Sequence, residues 1–189
     1  MRVRFLHFVG TDLGKKVDYS AVALVRKQDK ISKLIFVKRF PLETPYASVI
    51  GFIKVLASRF NPEKILVDQT GVGEYIVEDM KSAGLVNVEG VMLTLQSKQE
   101  VFGYMKQQMQ NCVESCGNPK CNHPRMLQLP YDPEIIAEIN LEKFELTKDG
   151  NIKFSHPEGT HDDRLWAIAL GVYASRESEA PVLIPIRKR

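Results

Sequence analysis

Three short apolar runs open the chain: Phe5-Leu6-His7-Phe8-Val9-Gly10, Ala21-Val22-Ala23-Leu24-Val25 and Leu34-Ile35-Phe36-Val37. Runs of this length bounded by polar turns predict strands. The stretches between them, Thr11 to Ser20 and Lys27 to Lys30, suit antiparallel hairpin connections, so a three-stranded meander is expected. After Pro41 the period changes. Val49, Ile50, Ile53, Leu56 and Ala57 recur at helical spacing until Asn61-Pro62 breaks the pattern, and Ile65-Leu66-Val67-Asp68 follows as a fourth strand. Gly71-Val72-Gly73 leads into a helical segment ending near Ala83; Val91-Met92-Leu93-Thr94 predicts another strand, and a third helix is expected from about Ser97. A helix over Pro133 to Phe144, a hairpin from Phe144 to Phe154 around Asp149-Gly150, and a last helix from Asp162 to Ser175 complete the pattern. The expected fold class is α/β: a mixed sheet of three antiparallel strands and then parallel strands, flanked by helices. In such sheets catalytic groups gather beyond the carboxyl ends of the strands.

Length and composition make this one ordinary globular domain. At 189 residues, 44% hydrophobic and 26% charged, the chain is large enough to bury a core. The domain is expected over residues 1–176, with an elaborated segment at 112–124. Residues 177–189, with Ala180-Pro181, Pro185 and Arg187-Lys188-Arg189, are expected to be a basic tail, extended or disordered. No apolar run approaches the roughly 20 residues that span a bilayer, and Met1-Arg2-Val3-Arg4-Phe5 lacks the pattern of a signal peptide, so no membrane partner is expected and the protein should be soluble and intracellular. A net charge of +3 and a pI near 8.7 permit a polyanionic partner without demanding one.

The candidate chemistry lies in three places. Asp12 ends the first apolar run and precedes Leu13-Gly14; alone it would be an ordinary turn residue. Asp68 repeats that placement at the end of Ile65-Leu66-Val67, before Gln69-Thr70-Gly71-Val72-Gly73. Asp162 and Asp163 follow His161 at the start of an alanine-rich helix, where Thr160 or Asp162 would serve as a cap. A cap needs one acidic group, however, and adjacent aspartates repel. Acids collected at the mouth of one sheet ask for a cation. A hard divalent ion takes oxygen ligands and keeps waters, so such a cleft can hold one or two ions and leave room for phosphate. A pair about 4 Å apart activates the attacking water and stabilises the departing oxygen, which is phosphodiester hydrolysis.

The arrangement resembles the ribonuclease H-like superfamily: three antiparallel strands first, acids on the first and fourth strands, and the last acid from a C-terminal helix. Within it the chain looks most like the nuclease domain of the large terminase subunit of tailed viruses. Five segments in order carry that likeness: Gly10-Thr11-Asp12-Leu13-Gly14 with Asp18-Tyr19-Ser20-Ala21, Val67 to Gly73, Ser97-Lys98, and Gly159-Thr160-His161-Asp162-Asp163 before the helix. The resemblance implies an endonuclease that cuts concatemeric viral DNA during genome packaging, in the cytoplasm of an infected host cell, with two Mg²⁺ or Mn²⁺ ions. By position, Asp12 would bridge both ions, Asp68 would complete one site and Asp163 the other. Asp162 would be a ligand or a supporting acid; the two lie about 100° apart around the helix axis, so one of them should point straight into the cleft. Asp18, Lys98 and His161 are candidate supporting residues, each with a bland alternative as turn residue, solvated lysine or charge partner. Double-stranded DNA is the implied partner, with Lys15, Lys16, Lys98, Lys106 and Arg164 as candidate phosphate contacts.

Terminase large subunits also carry an ATPase motor, and this sequence has no Gly-x-x-x-x-Gly-Lys-Ser/Thr loop. The expectation is an excised domain whose motor, and the capsid portal it docks on, lie elsewhere, or a free-standing nuclease. Other readings are a Holliday-junction resolvase, a sugar-kinase-like phosphate binder, for which the chain is too short, and a non-catalytic DNA-binding or docking module. Finally, Cys112, Cys116, Cys121 and His123 lie within twelve residues. Four soft ligands suit tetrahedral zinc, although the spacing matches no common zinc module; the alternative is an elaborated loop with plain thiols.

Overall fold

The computed structural model describes residues 5–14, 17–114, 116–118, 120–147 and 152–177. Lys15, Lys16 and the expected tail from residue 178 onward lie outside them. The chain opens with β1 (Leu6–Asp12), β2 (Ala21–Gln28) and β3 (Ile31–Arg39), continues through α1 (Tyr46–Phe60), β4 (Lys64–Asp68), α2 (Tyr75–Ser82), β5 (Val88–Val91) and α3 (Leu95–Gln110), then β6 (Leu127–Gln128), α4 (Pro133–Leu141), β7 (Lys143–Leu146), β8 (Ile152–Ser155) and α5 (Asp163–Ala174). Six strands form one sheet in the order β5-β4-β1-β2-β3-β6, and β7 and β8 form a separate hairpin. The first three strands are antiparallel neighbours, while β4 runs parallel to β1, β5 to β4, and β6 to β3.

The strand period of two sorts side chains onto the two faces. Phe8, Ala23, Val25 and Leu66 pack with Val101 and Met105 of α3, Ile135 of α4 and nearly all of α5. Val9, Val22, Leu24, Ile65 and Val67 pack on the other face against Val49 and Ile53 of α1 and Ile76 and Met80 of α2. Both faces are covered, which is why β1 and β2 read as near-continuous apolar runs rather than alternating ones.

Two expectations need correcting, and one short strand was not foreseen. The fifth strand is Val88–Val91, not Val91 to Thr94. Leu93 is buried, but its N–H bonds the Thr70 hydroxyl at 2.7 Å, and Thr94 caps α3 by accepting from the Ser97 N–H at 3.2 Å. The fourth helix stops at Leu141 because Phe144 belongs to the hairpin. The two-residue β6 carries too short a signal to be foreseen.

Helix α5 crosses β1 closely. A Cβ on Gly10 would meet the Ala167 carbonyl at 2.1 Å and the Gly171 nitrogen at 2.2 Å, so only glycine lets the two backbones touch. Two residues along β1 from Gly10, about 7 Å, stands Asp12; one turn back along α5 from Ala167, about 6 Å, stands Asp163. The crossing thus brings both acids to one end of the sheet.

Candidate active site

Asp12 and Asp68 end neighbouring parallel strands, and Asp163 and Asp162 stand at the start of α5. All four line a single open cleft of about 390 Å³, together with Asp18, Lys98, Thr70, Leu93, Trp166 and the hairpin residues Phe154, Ser155 and His156. The acids expected from the sequence therefore converge, and Asp18 and Lys98 join them. His161 stands beside Asp163, its Nδ1 3.9 Å from Oδ2, with its ring edge-on to Tyr19 at 4.7 Å.

The two adjacent aspartates do different things. Asp162 occupies the cap position of α5 but makes no capping bond, which corrects the cap expectation. Its Oδ2 instead accepts from the Trp166 indole at 2.7 Å, and its Oδ1 lies 3.5 Å from His156 Nε2. The expected cap Thr160 donates its hydroxyl to the Pro157 carbonyl. Asp163 is 4% exposed; its Oδ1 accepts from the Tyr19 N–H at 3.0 Å, and its Oδ2 is buried with no hydrogen-bond partner. Asp68 is fixed by a local turn, accepting from the Thr70 N–H at 2.7 Å.

The electrostatics follow from burial and crowding. Burial first, then the charges of Asp68, Asp163, Asp162 and Asp18, push the Asp12 carboxyl well above the usual range. Burial also raises Asp68, opposed by its bonds to Thr70 and by Lys98. Asp163 is pushed up to about 6 by burial and then by Asp162. In the absence of a counter-cation these acids resist full ionisation, as expected of a site that receives positive charge.

Sequence reasoning missed Glu142, between α4 and β7. Both its carboxylate oxygens are buried without a hydrogen-bond partner, and burial followed by the Asp162 charge pushes it up to about 7. No motif marks it, since it reaches the site only through the turn after α4. Trp166 was legible only as an apolar helix residue. Its indole places Asp162, and its ring packs on Phe154 at 5.8 Å, which brings the hairpin to the cleft rim.

Arg164 is corrected as a phosphate contact. It is buried, donates to Glu138 at 2.7 Å and pairs with Glu134, while Glu138 also accepts from the Leu165 N–H at 2.9 Å. Lys98 Nζ sits 5.0 Å over the Trp166 ring at the cleft, and Lys106 Nζ 4.8 Å over Phe144.

No protein-family model and no curated protein sequence matches the chain. Among solved structures it is similar to the large terminase nuclease from thermophilic phage G20c, with a TM-score of 0.71 and 19% identity over 93% of this chain and 83% of that one. The magnesium-bound form of that nuclease gives a TM-score of 0.71 and 20% identity over 91% and 82%; cobalt- and zinc-bound forms have also been solved. The large terminase of bacteriophage HK97 matches with a TM-score of 0.68 and 12% identity over 91% of this chain and 40% of that one. The chain thus shares the fold of the large terminase nuclease domains, as the motif order in its sequence implied.

Proposed function

We propose that the chain is a divalent-metal-dependent endonuclease that hydrolyses DNA phosphodiester bonds and cuts concatemeric viral DNA during genome packaging. One observation carries this reading: carboxylates from β1, β4 and α5 meet in one cleft, and Asp163 brings to it a buried oxygen that no hydrogen bond among the described residues satisfies. An unpaired buried carboxylate oxygen is costly unless a cation meets it. The donor set is all oxygen, which suits Mg²⁺ or Mn²⁺, and the solved relative with bound magnesium supports the same class of ion.

In this reading Asp12, Asp68 and Asp163 would be the ligands that hold the ions. Bound there, the ions would supply the charge that lowers the pKa of an attacking water and stabilises the leaving oxygen. The chain's own residues prepare the place. The Thr70 N–H holds Asp68, the Tyr19 N–H holds Asp163 by one oxygen, and Trp166 with His156 holds Asp162 beside them as a supporting acid. Lys98 at the cleft wall is positioned to meet a DNA phosphate, and His161 is positioned to orient water or contact the phosphate next to Asp163. Double-stranded DNA is the partner, delivered by an ATPase motor at a capsid portal in the host cytoplasm. Among the described residues no helix is long and apolar enough to cross a membrane.

The test is nicking of supercoiled plasmid in Mg²⁺ or Mn²⁺, with Asp12→Ala, Asp68→Ala and Asp163→Ala alongside. The wild type should nick and each variant should lose it. A wild type that does not nick under either metal, or variants that nick equally well, would refute the assignment.

A further inference from the structure

We propose that Cys112, Cys116, Cys121 and His123 form a structural zinc site with a closed three-sulfur, one-nitrogen ligand set, separate from the acidic cleft. One ligand atom from each residue lies within 4.8 Å of all the others, and the Cys112 and Cys116 sulfurs are 3.2 Å apart. In a zinc tetrahedron with Zn–S bonds of about 2.3 Å, neighbouring ligand atoms stand about 3.7 Å apart. The cluster brackets that spacing, so small side-chain movements close it around an ion. The three cysteines are free thiols, so none is committed to a disulfide.

His123 supplies the second observation. Among the described residues its buried Nδ1 has no hydrogen-bond partner, while its Nε2 stands 3.3 Å from a Glu114 carboxylate oxygen. A ring nitrogen buried and unpaired is costly. A zinc-bound histidine resolves that cost by ligating through one nitrogen and donating its other N–H to a carboxylate, which fixes the tautomer and strengthens the ligand. Glu114 occupies that outer position.

The surrounding backbone is built like a clasp. The segment leaves the end of α3 and returns to β6, and its neck is closed by a Cys112–Arg125 bridge, by Val113 N–H to the Pro124 carbonyl at 3.0 Å and by Met126 N–H to the Asn111 carbonyl at 2.9 Å. Cys112, 3% exposed, anchors the neck, and the other three ligands lie on the loop beyond it. An ion would tie that loop to its neck, and through the edge strand β6 to β3. Four protein ligands leave no open position, the mark of a structural rather than catalytic zinc. Binding would take the three cysteines as thiolates, releasing to solvent whatever thiol protons they still carry. The site lies just beyond Gln110 at the end of α3, and Lys98 of the acidic cleft stands about 18 Å back along the helix axis from Gln110.

The experiment is metal analysis of the full chain purified without chelator, with thiol titration alongside. About one equivalent of zinc should survive dialysis, and the thiols should stay unreactive until a strong chelator strips it. Replacing the zinc with Co²⁺ should give the thiolate-to-metal charge-transfer absorption of a cysteine-rich tetrahedron. A double variant, Asp12→Ala with Asp68→Ala, should keep the zinc, whereas Cys116→Ser and Cys121→Ser should lose it. Less than about a tenth of an equivalent in the wild type, or three freely reacting thiols before chelation, would overturn the proposal. So would zinc that disappears with the aspartates and survives in Cys116→Ser. Because the wild-type thiol measurement needs no variant, a misfolded cysteine variant does not blunt the test, and plasmid nicking stands or falls separately.

Discussion

Asp163→Asn should make the metal-free protein more stable at alkaline pH while it abolishes nicking. In the wild type the Asp163 carboxyl is raised from an ordinary 3.8 to about 6, chiefly by burial. The folded state therefore holds this proton more tightly than the unfolded chain does. That contribution to stability is complete below about pH 4 and is lost as pH rises through 6. At about 1.36 kcal/mol per tenfold, the loss is about 3 kcal/mol. Asparagine cannot ionise and escapes it. The substitution keeps an oxygen for the Tyr19 N–H, but it places an NH₂ where the buried Oδ2 stood, at a pH-independent cost of about 1–3 kcal/mol. The absolute stability of the variant mixes the two effects; its pH dependence isolates the first. Measured with chelator present, the stability of the variant relative to wild type should rise by about 3 kcal/mol between pH 4 and pH 8. For a chain of this size that is about 6–12 °C in Tm. Asp12 and Asp68 titrate in the same field, which broadens the transition rather than reversing it. Millimolar Mg²⁺ should then stabilise the wild type at pH 8 and leave the variant unchanged. A difference that stays flat across pH, or a variant that falls further behind at pH 8, would refute the reasoning.

Two further outcomes are expected. Gly10→Ala should cost about 1–3 kcal/mol or more in urea denaturation, because the new methyl meets backbone of Ala167 and Gly171 that cannot step aside. Nicking, assayed where the variant is still folded, should fall as α5 carries Asp163 away from Asp12; wild-type stability and nicking together would count against the close crossing. Glu142→Gln mimics the protonated form favoured by a carboxyl raised to about 7. It should match the wild type's pH-dependent contribution below about pH 4.5 and exceed it from about pH 7 upward without metal, since the wild type alone loses stability as pH rises from the ordinary 4.5 through about 7. Equal pH profiles for the two proteins would contradict the burial of that acid.

The sheet was legible because its strands obey a short, strong signal: apolar runs of strand length, ended by an acid or a turn. Asp12 and Asp68 could be recognised together because they repeat one placement, the polar end of a buried strand. Where the signal is weak, so was the expectation. β6 has only two residues, and β5 was read three residues late because Leu93 is buried as part of the lead into α3 rather than as strand. Glu142 had no local pattern at all; its role depends on a turn that packs a charged side chain inward, which only tertiary structure decides. Arg164 was misjudged for the same reason, since a basic residue beside two aspartates looks like a phosphate contact until Glu134 and Glu138 are seen to surround it.

That misjudged arginine provides the control for the site. Glu138, on α4 and facing α5, and Asp163, at the start of α5, are both buried acids, and burial raises both. Glu138 receives everything a buried carboxylate requires: a guanidinium N–H from Arg164 at 2.7 Å, the Leu165 N–H at 2.9 Å and a second arginine, Arg39, at 4.0 Å. Asp162 is likewise held, by an indole and an imidazole. Asp163 lies next to both and is given one backbone N–H and a histidine at a distance, while its inner oxygen goes without. The fold therefore supplies partners to Glu138 and Asp162 and withholds one from the inner oxygen of Asp163. A packing accident would leave such a group scattered anywhere in the core; this one faces Asp12 and Asp68 across a cleft open to solvent. An inner oxygen of Asp163 left unsatisfied where it converges with Asp12 and Asp68, while Glu138 and Asp162 beside it are partnered, is the physical argument behind the proposed cation.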